Sequence, residues 1–580
     1  MTDVLRVGNC SGFYGDRLSA MREMLEGGEL DVLTGDYLAE LTMLILGRDR
    51  MKDSSLGYAR TFVRQAEDCM GLALERGVKL VANAGGLNPA GLAEKLREVA
   101  DGLGLAPAIA HVEGDDLLDR ADELGLGKPL TANAYLGAFG IAAALDADAD
   151  IVVTGRVTDA SVVVGPAIAR FRWDRTAYDA LAGAVVAGHV IECGAQTCGG
   201  NFSGFRSLGL DGTPIGFPVA EISADGSSVI TKHAATGGAV TVDTVTAQLV
   251  YEVQSTEYLG PDVTVRLDSI QLSPDGPDRV RVSGTRGEAP PASLKVCVNE
   301  LGGFRNSIEF VLTGLEIEAK ADFVRAQMEA ALAARPPASV EWILASTEHL
   351  DATTEEAASA RLRCVVKDPD PAVVGRAFTA PAIELALASY PGFHVTAPPS
   401  EGTPYGIYRA AYVDQPAVEH VVVHPDGTRQ VVDPPTEVSD PGGDSAADLA
   451  ESKDSLAFAG QAPADEFTRR MPLGALVHAR SGDKGGDANI GLWVDRSTKA
   501  DERVAWLTKL VTPQRINELI PESEGLDVDV YSLPNLGAVN VVIRGLLGDG
   551  VAASSRFDPQ AKALGEWIRS RHVSITEDLM

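Results

Sequence analysis

Cysteine, aromatic side chains and positive charge are all scarce in this chain, and each scarcity excludes something. Six cysteines (Cys10, Cys69, Cys193, Cys198, Cys297 and Cys364) are spread over 580 residues. That density excludes a disulfide-stapled scaffold and points to free thiols in a reducing cytoplasm. Cys193 and Cys198 lack zinc-ribbon spacing, and no His or Cys pair elsewhere completes a tetrahedral set, so no metal is expected. Lysine and arginine number 50 against 82 aspartates and glutamates, a formal charge of −32. Nucleic acid and anionic membrane surfaces both require a basic face, so neither is expected as a partner. No uncharged apolar run reaches the roughly 18 residues of a membrane helix. The opening Met1-Thr-Asp-Val-Leu-Arg-Val-Gly8 has neither the basic start nor the apolar stretch of a secretory signal. Gly8, Gly12 and Gly15 miss the G-x-G-x-x-G spacing, and there is no Walker loop, G-x-S-x-G elbow or H-E-x-x-H pair. Dinucleotide, P-loop, serine hydrolase and zincin readings therefore fall away.

What remains is a globular composition, 45% hydrophobic and 23% charged, on a chain long enough for two to four domains. Residues 1–205 alternate short apolar strands with helical patterns: Val4 to Val7, Leu30 to Leu33, Val78 to Ala82, Ala108 to Val112 and Ile151 to Val153 each lead into a polar turn. This alternation predicts a parallel-sheet α/β domain. Asn88 and Pro89 read as the cap and first residue of a helix. The small residues from Ala132 to Gly140 read as a closely packed helix face. Residues 206–432 change to strand-like segments such as Val229 to Lys232, Gly237 to Val242 and Arg279 to Ser283, which predicts a β-rich α+β subdomain packed on the first. An acidic linker is expected over residues 433–470. Residues 471–580 read strand-strand-helix twice, a compact α+β domain, with a turn from Ala479 to Asp487 between its first two strands.

In a parallel sheet ligands bind beyond the carboxyl ends of the strands. That rule gathers Asn9, Asp36, Asn83, Asn88, Arg156, Thr158 and Asp159 on one rim, although Asp, Asn and Thr there also serve as helix caps. The stretch Gly188 to Phe205 sets Glu192, Cys193, Gln196, Cys198 and Asn201 among glycines that include Gly199 and Gly200. Glu192 is the leading acid/base candidate, with a solvated carboxylate as the bland alternative, and Asp36, Asp159 and Glu40 are further candidates. Cys193 is a candidate nucleophile with His189 as its activator, against the plainer reading of a small core residue. The turns at Gly85-Gly86 and Gly199-Gly200 are candidate N–H donors to a carbonyl oxygen. Arg480, Ser481, Asp483 and Lys484 form a candidate anion-holding loop, or a hairpin with solvated charges. Lys232, His233 and Thr236-Gly-Gly238 leave the same two readings open.

The segments Gly35-Asp-Tyr-Leu-Ala-Glu-Leu-Thr-Met43, Asn83-Ala-Gly-Gly-Leu-Asn-Pro89, Thr154-Gly-Arg-Val-Thr-Asp159, Glu192-Cys-Gly-Ala-Gln196 and Thr236-Gly-Gly238 occur in this order, followed by Arg480-Ser-Gly-Asp-Lys-Gly485 and Leu533-Pro-Asn-Leu536. Together they resemble the acyclic terpene utilisation AtuA family over essentially the whole chain outside the linker. The resemblance implies that the C-terminal domain is ferredoxin-like. It also implies a part in the catabolism of citronellol- and geraniol-type acids as coenzyme A thioesters, alongside other acyl-CoA enzymes. It transfers no catalytic residues.

Three functions follow as expectations. The first is a hydratase- or lyase-type enzyme acting on a branched acyl-CoA, requiring no cofactor beyond the coenzyme A of its substrate. The second is a non-catalytic subunit docked on an acyl-CoA carboxylase-type assembly, and the third is a thioester hydrolase. A homo-oligomer is the ordinary expectation for such a protein.

Overall fold

Strands β1 (Val4–Asn9), β2 (Val32–Gly35), β3 (Lys79–Ala82), β4 (Ile109–Glu113), β5 (Thr131–Ala134) and β6 (Ile151–Thr154) are short and almost wholly buried. We describe them from a computed structural model, of which residues 4–439, 468–495 and 499–580 are described. Five of them run parallel in the order β1-β2-β3-β6-β4. Successive side chains leave a strand on opposite faces. Accordingly Val7, Val32, Val81, Ala110 and Val152 join one apolar cluster, whereas Leu33, Leu80, Ile109, Ile151 and Val153 join another. Helices Arg60–Arg76 and Pro89–Leu103 cover the second face, and Phe139–Asp146, Ser161–Phe171 and Tyr178–Ile191 the first. A strand covered on both sides carries a continuous apolar run, which is why this part reads clearly as α/β.

The parallel core is the centre of a larger mixed sheet. Strands β7 (Pro218–Ser223) and β8 (Ser228–Lys232), then Arg279–Ser283 and Gln271–Pro274, extend it antiparallel beyond β1. His420–Val423 and Arg429–Val432 extend it beyond β4, giving eleven strands in all. The run expected to be a helix face around Ala132 is instead β5, which leaves this sheet and pairs antiparallel with Val296–Asn299. Its small residues allow close approach of strand and covering layers. Gly237 to Val242, expected as a strand, ends in the helix Val242–Leu249. Thr241 and Thr244 form a reciprocal cap there, each side-chain oxygen accepting the other's backbone N–H at 2.9 and 3.2 Å.

The described chain divides into two compact units. One comprises Met1–Asn299, Tyr408–Val551 and Gln560–Met580, and the other Glu300–Ile407 with Ala552–Pro559. In the second unit the later part of strand Ser293–Thr313, with Ser359–Asp368 and Ser339–Ala345, forms an antiparallel sheet. Helices Ile317–Leu332 and Arg376–Glu384 bury Val324, Met328 and Phe378 against Phe310 and Leu362. Residues 440–467 of the expected acidic linker lie outside the described residues.

The ferredoxin-like C-terminal domain is a four-stranded antiparallel sheet in the order Val477–Lys484, Asp487–Val494, Ala538–Ile543, Val528–Leu533. Helices Ala500–Leu510, Pro513–Leu519 and Leu564–Ser570 pack on it. Arg480, Ser481, Asp483 and Lys484, expected in a long turn, belong instead to a strand, and the turn shrinks to Gly485-Gly486. A strand so rich in charge and glycine hides its period because much of it faces other protein rather than solvent.

Asparagines hold this domain on the rest of its unit. Asn489 and Asn540 are wholly buried. Both donate to the Val253 carbonyl, at 3.1 and 3.0 Å, and Asn489 accepts the Glu252 N–H at 2.7 Å. Asn535 donates to the carbonyls of Leu267 and Ile270 at 2.8 and 2.9 Å. Gly491 permits the contact, because a Cβ there would lie 2.7 Å from the Val250 carbonyl oxygen. Gly491→Val is therefore expected to lower stability by about 1–3 kcal/mol, the usual cost of overpacking, read as a lower midpoint in thermal unfolding. An unchanged midpoint would mean that the contact is not tight.

Candidate functional site

A cavity of about 210 Å³ lies where the loops after β5 and β6 meet the end of strand Val477–Lys484; Tyr135, Thr158, Asp159, Glu252, Tyr258, Lys295 and Lys484 are among its lining residues. They come from several separate turns and strands of the first unit, Thr158 and Asp159 from the same one. Glu252 takes a left-handed backbone, φ 58°, a conformation that costs a residue other than glycine about 1 kcal/mol or more. The asparagine contacts to Glu252 and Val253 hold it there.

The wall is a network of paired charges. Arg156 is 2% exposed. Its guanidinium stands 3.0 Å from Asp159, donates to the Leu38 carbonyl at 3.3 Å and lies over the Tyr135 ring at 4.2 Å. Asp115 positions this loop by accepting the Arg156 N–H and the Asn133 amide, both at 2.8 Å. Burial pushes Asp115 up to about 7 against the pull of these two donors. Glu40 accepts from the Tyr135 hydroxyl at 3.2 Å and lies 3.6 Å from Lys295. Burial tends to raise its pKa, but Lys295, Lys484 and Arg156 outweigh that and bring it to about 2. Asp36 goes the other way: burial and the nearby Asp159 raise it, despite Arg156 and a 2.6 Å hydrogen bond donated by Asn83.

Lys484 differs from these groups. Among the described residues its ammonium has no ion pair within 4 Å, yet it lines the cavity. Burial opposes its charge, and the combined field of Tyr258, Glu252, Glu40 and Asp159 more than restores it, so its pKa lies above the ordinary lysine value. Lys295, over the Tyr135 ring at 4.9 Å, is shifted down by burial despite Glu40, with Lys484 adding to the decrease. The cavity thus holds one ammonium that stays charged and a second that loses its proton more readily.

Glu192 lies in the layer behind. Its carboxylate is 3.1 Å from His189 Nδ1, and the His189 ring packs 5.2 Å from that of Tyr258. Glu192 Oε2 and His189 Nε2 are buried without a hydrogen-bond partner among the described residues. Burial raises Glu192, with His189 opposing. Burial lowers His189, but Glu192 outweighs it and the net shift is upward.

The other expected residues divide between neighbouring contacts and scaffold duties. Arg480 bonds Gln196 and lies over Tyr251 at 4.4 Å. Asp483, raised by burial and Glu252, stands 3.6 Å from Lys562. Ser481 ties its strand to the last helix, donating to the Ala561 carbonyl at 2.6 Å and accepting from Gly565 at 2.8 Å. Asn83 is spent between Asp36 and the Tyr37 N–H, and Asn88 caps its helix through Gly91 at 2.9 Å. Gly85 and Gly86 are glycines for space: a Cβ on Gly85 would lie 2.5 Å from the Thr154 carbonyl oxygen and one on Gly86 2.9 Å from that of Gly57. Gly199 has φ +104° in a tight turn, Gly200 packs on Ala195, and Asn201 is exposed. Burial, with Glu192 and Glu252, holds the Cys193 thiol well above its ordinary pKa; a protonated thiol is a poor nucleophile.

Of the expected residues, Thr158, Asp159 and Lys484 reach the cavity, with Asp36, Glu40, Arg156 and Glu192 close behind. Tyr135, Glu252, Tyr258 and Lys295 were not anticipated. Lys295 carried a signal, a lysine inside the strand Ser293–Thr313 among Leu294, Val296, Cys297 and Val298. Among the described residues no group of His, Cys, Asp and Glu is arranged to hold a metal ion, and no helix is long and apolar enough to cross a membrane.

Comparison with known proteins gives two matches to family models. The model described as acyclic terpene utilisation family protein AtuA matches residues 5–424, and that of the AtuA ferredoxin-like domain matches residues 471–574. No curated protein and no solved structure matches the chain.

The His189–Glu192 pair makes a pH prediction. A histidine raised on folding adds stability that is complete below its unfolded value of about 6.5 and is lost as pH rises through the folded value. Glu192, also raised, loses its contribution in the same direction. His189→Gln is thus expected to cost more stability at pH 6 than at pH 9 in chemical unfolding. Equal cost at both pH values would show that the pair does not titrate as described.

Proposed function

The chain belongs to the acyclic terpene utilisation AtuA family, and from that premise we propose that it works on a branched acyl thioester in terpenoid acid catabolism, adding or removing water or cleaving a carbon–carbon bond beside the carbonyl. The observation that carries this reading is the Lys484 ammonium, charged, lining the cavity and free of an ion pair among the described residues. A fixed positive charge in a buried site stabilises negative charge that develops on a carbonyl oxygen, and it acts without solvent reorganisation. Asp159 and Glu252 line the same cavity and are the groups placed to take a proton from the carbon next to that carbonyl. Tyr258, whose phenol is held protonated by burial despite Lys484, donates to the same oxygen or to a departing hydroxyl. The His189 ring, paired with Glu192, packs against that of Tyr258 from behind.

Size supports the acyl end as the part enclosed. A cavity of about 210 Å³ lies below the roughly 300–1,000 Å³ usual for pockets that enclose a whole drug-sized ligand. The coenzyme of a thioester substrate therefore stays outside. The protonated state of Cys193 disfavours hydrolysis through a thiol ester on the enzyme.

The test is incubation of the purified protein, without partners, with enoyl-, 3-hydroxyacyl- and branched acyl-CoA thioesters, followed by mass spectrometry for products and for deuterium uptake from D2O. Turnover or exchange is expected, and Lys484→Met is expected to reduce kcat/KM by about 10²-fold or more, the scale of a lost oxyanion donor. Asp159→Asn should lower kcat with little change in KM. Binding without turnover or exchange would replace this reading with that of a non-catalytic subunit.

A further inference from the structure

Away from that cavity, and sharing no lining residue with it, the C-terminal domain carries a groove of about 440 Å³. Its walls follow from simple periodicities. Arg515, Glu518 and Leu519 are spaced i, i+3, i+4 on and along the helix Pro513–Leu519 and so share one face. Trp567, Ser570 and Arg571 have the same spacing at the end of helix Leu564–Ser570. The floor is the antiparallel ribbon Thr468–Pro472 with His572–Thr576, where Arg470 lies opposite Ser574 and Pro472 opposite His572. Val573 and Ile575 turn into the core, so Arg470, His572 and Ser574 face outward.

The charge of this groove is opposite to that of the molecule. Against a whole-chain charge of −32, three arginines and a histidine converge here with Glu518 as the one carboxylate in the lining among the described residues. Arg515 pairs with that carboxylate, and Arg571 reaches only its backbone carbonyl, at 3.4 Å. Arg470 and Arg571 make no ion pair among the described residues. Guanidinium groups in a fork are the usual partners of phosphate oxygens. Trp567, half-buried against the domain core, lines the groove beside them. A planar ring beside arginines recognises a base joined to phosphate rather than phosphate alone.

We propose that this groove binds a nucleoside phosphate, with Arg470 and Arg571 on the phosphate and Trp567 against the base. The moiety is either a free nucleotide or the nucleotide end of coenzyme A. An extended nucleic acid is disfavoured, because its further phosphates would meet the acidic remainder of the surface.

Titration of the full chain by calorimetry and by tryptophan fluorescence tests this, with adenosine 3′,5′-bisphosphate, AMP, coenzyme A, adenosine and inorganic phosphate as separate probes. Saturable nucleotide binding is expected, at least tenfold tighter than that of adenosine or inorganic phosphate. It should weaken at least tenfold in Arg470→Ala and Arg571→Ala, with thermal midpoints unchanged because both side chains are at the surface. Trp567→Ala should abolish the fluorescence response, and Lys484→Met should leave nucleotide binding intact, which separates this site from the cavity. Tighter binding of coenzyme A than of the bisphosphate would identify the coenzyme as the source, and equal binding a free nucleotide. The proposal is overturned by absence of saturable binding, by arginine variants that bind as wild type, by inorganic phosphate binding as tightly as the nucleotides, or by an oligonucleotide binding more tightly than any of them.

Discussion

Charge compensation in a largely enclosed site is the constraint on which the rest of this architecture rests. Asp36, Glu40 and Asp159 sit close to Arg156, Lys295 and Lys484 at the end of the parallel sheet, and Glu192 is paired with His189. None of these groups could be buried alone, since an uncompensated interior charge costs several kcal/mol. Each is tolerable because its neighbour is present, and every strand end and loop that supplies a member is fixed in place by the need to supply it. Asp115 under the Arg156 loop and the asparagines around Glu252 serve that placement rather than any chemistry of their own. Lys484 is the member whose compensation comes from several carboxylates at a distance instead of one in contact, and that leaves its ammonium available.

The parallel centre was legible from residues such as Val78 to Ala82 and Ile151 to Val153 because burial on both faces writes an unbroken apolar run into the chain. Asn88 with Pro89 was legible because a cap and a first-turn proline are local chemistry. The strand carrying Arg480 to Lys484 was not, since its polar side chains meet Tyr251, Gln196 and Lys562 rather than water, and an alternation of inside and outside has no meaning there. The same holds for the cavity. Thr158 and Asp159 follow a recognisable strand and could be placed on its rim. Tyr258 comes from a three-residue strand, Glu257–Leu259, too short to write a period into the chain, and Glu252 from irregular chain whose path is set by contacts of Asn489 and Asn540, more than two hundred residues later in the sequence, to Glu252 and Val253.

Glu192 illustrates how composition and position differ. A carboxylate among glycines and amides reads as a reactive group, and the surroundings are indeed dry. Yet its neighbour is His189 at the end of the preceding helix, and the glycines nearby serve tight turns and close packing. Dryness raises its pKa without bringing it to the cavity surface, where Asp159 and Glu252 stand instead.

The position of Lys484 has a consequence for biosynthesis. The cavity draws most of its wall from the first three hundred residues, but its available ammonium arrives on a strand of the last domain, and Lys562, which pairs with Glu252 beside it, arrives later still. A chain still emerging from the ribosome, before residue 484 is made, has carboxylates where the folded molecule has a balanced pocket. Synthesis of the strand that carries Lys484 is thereby built into the site as a condition for its existence.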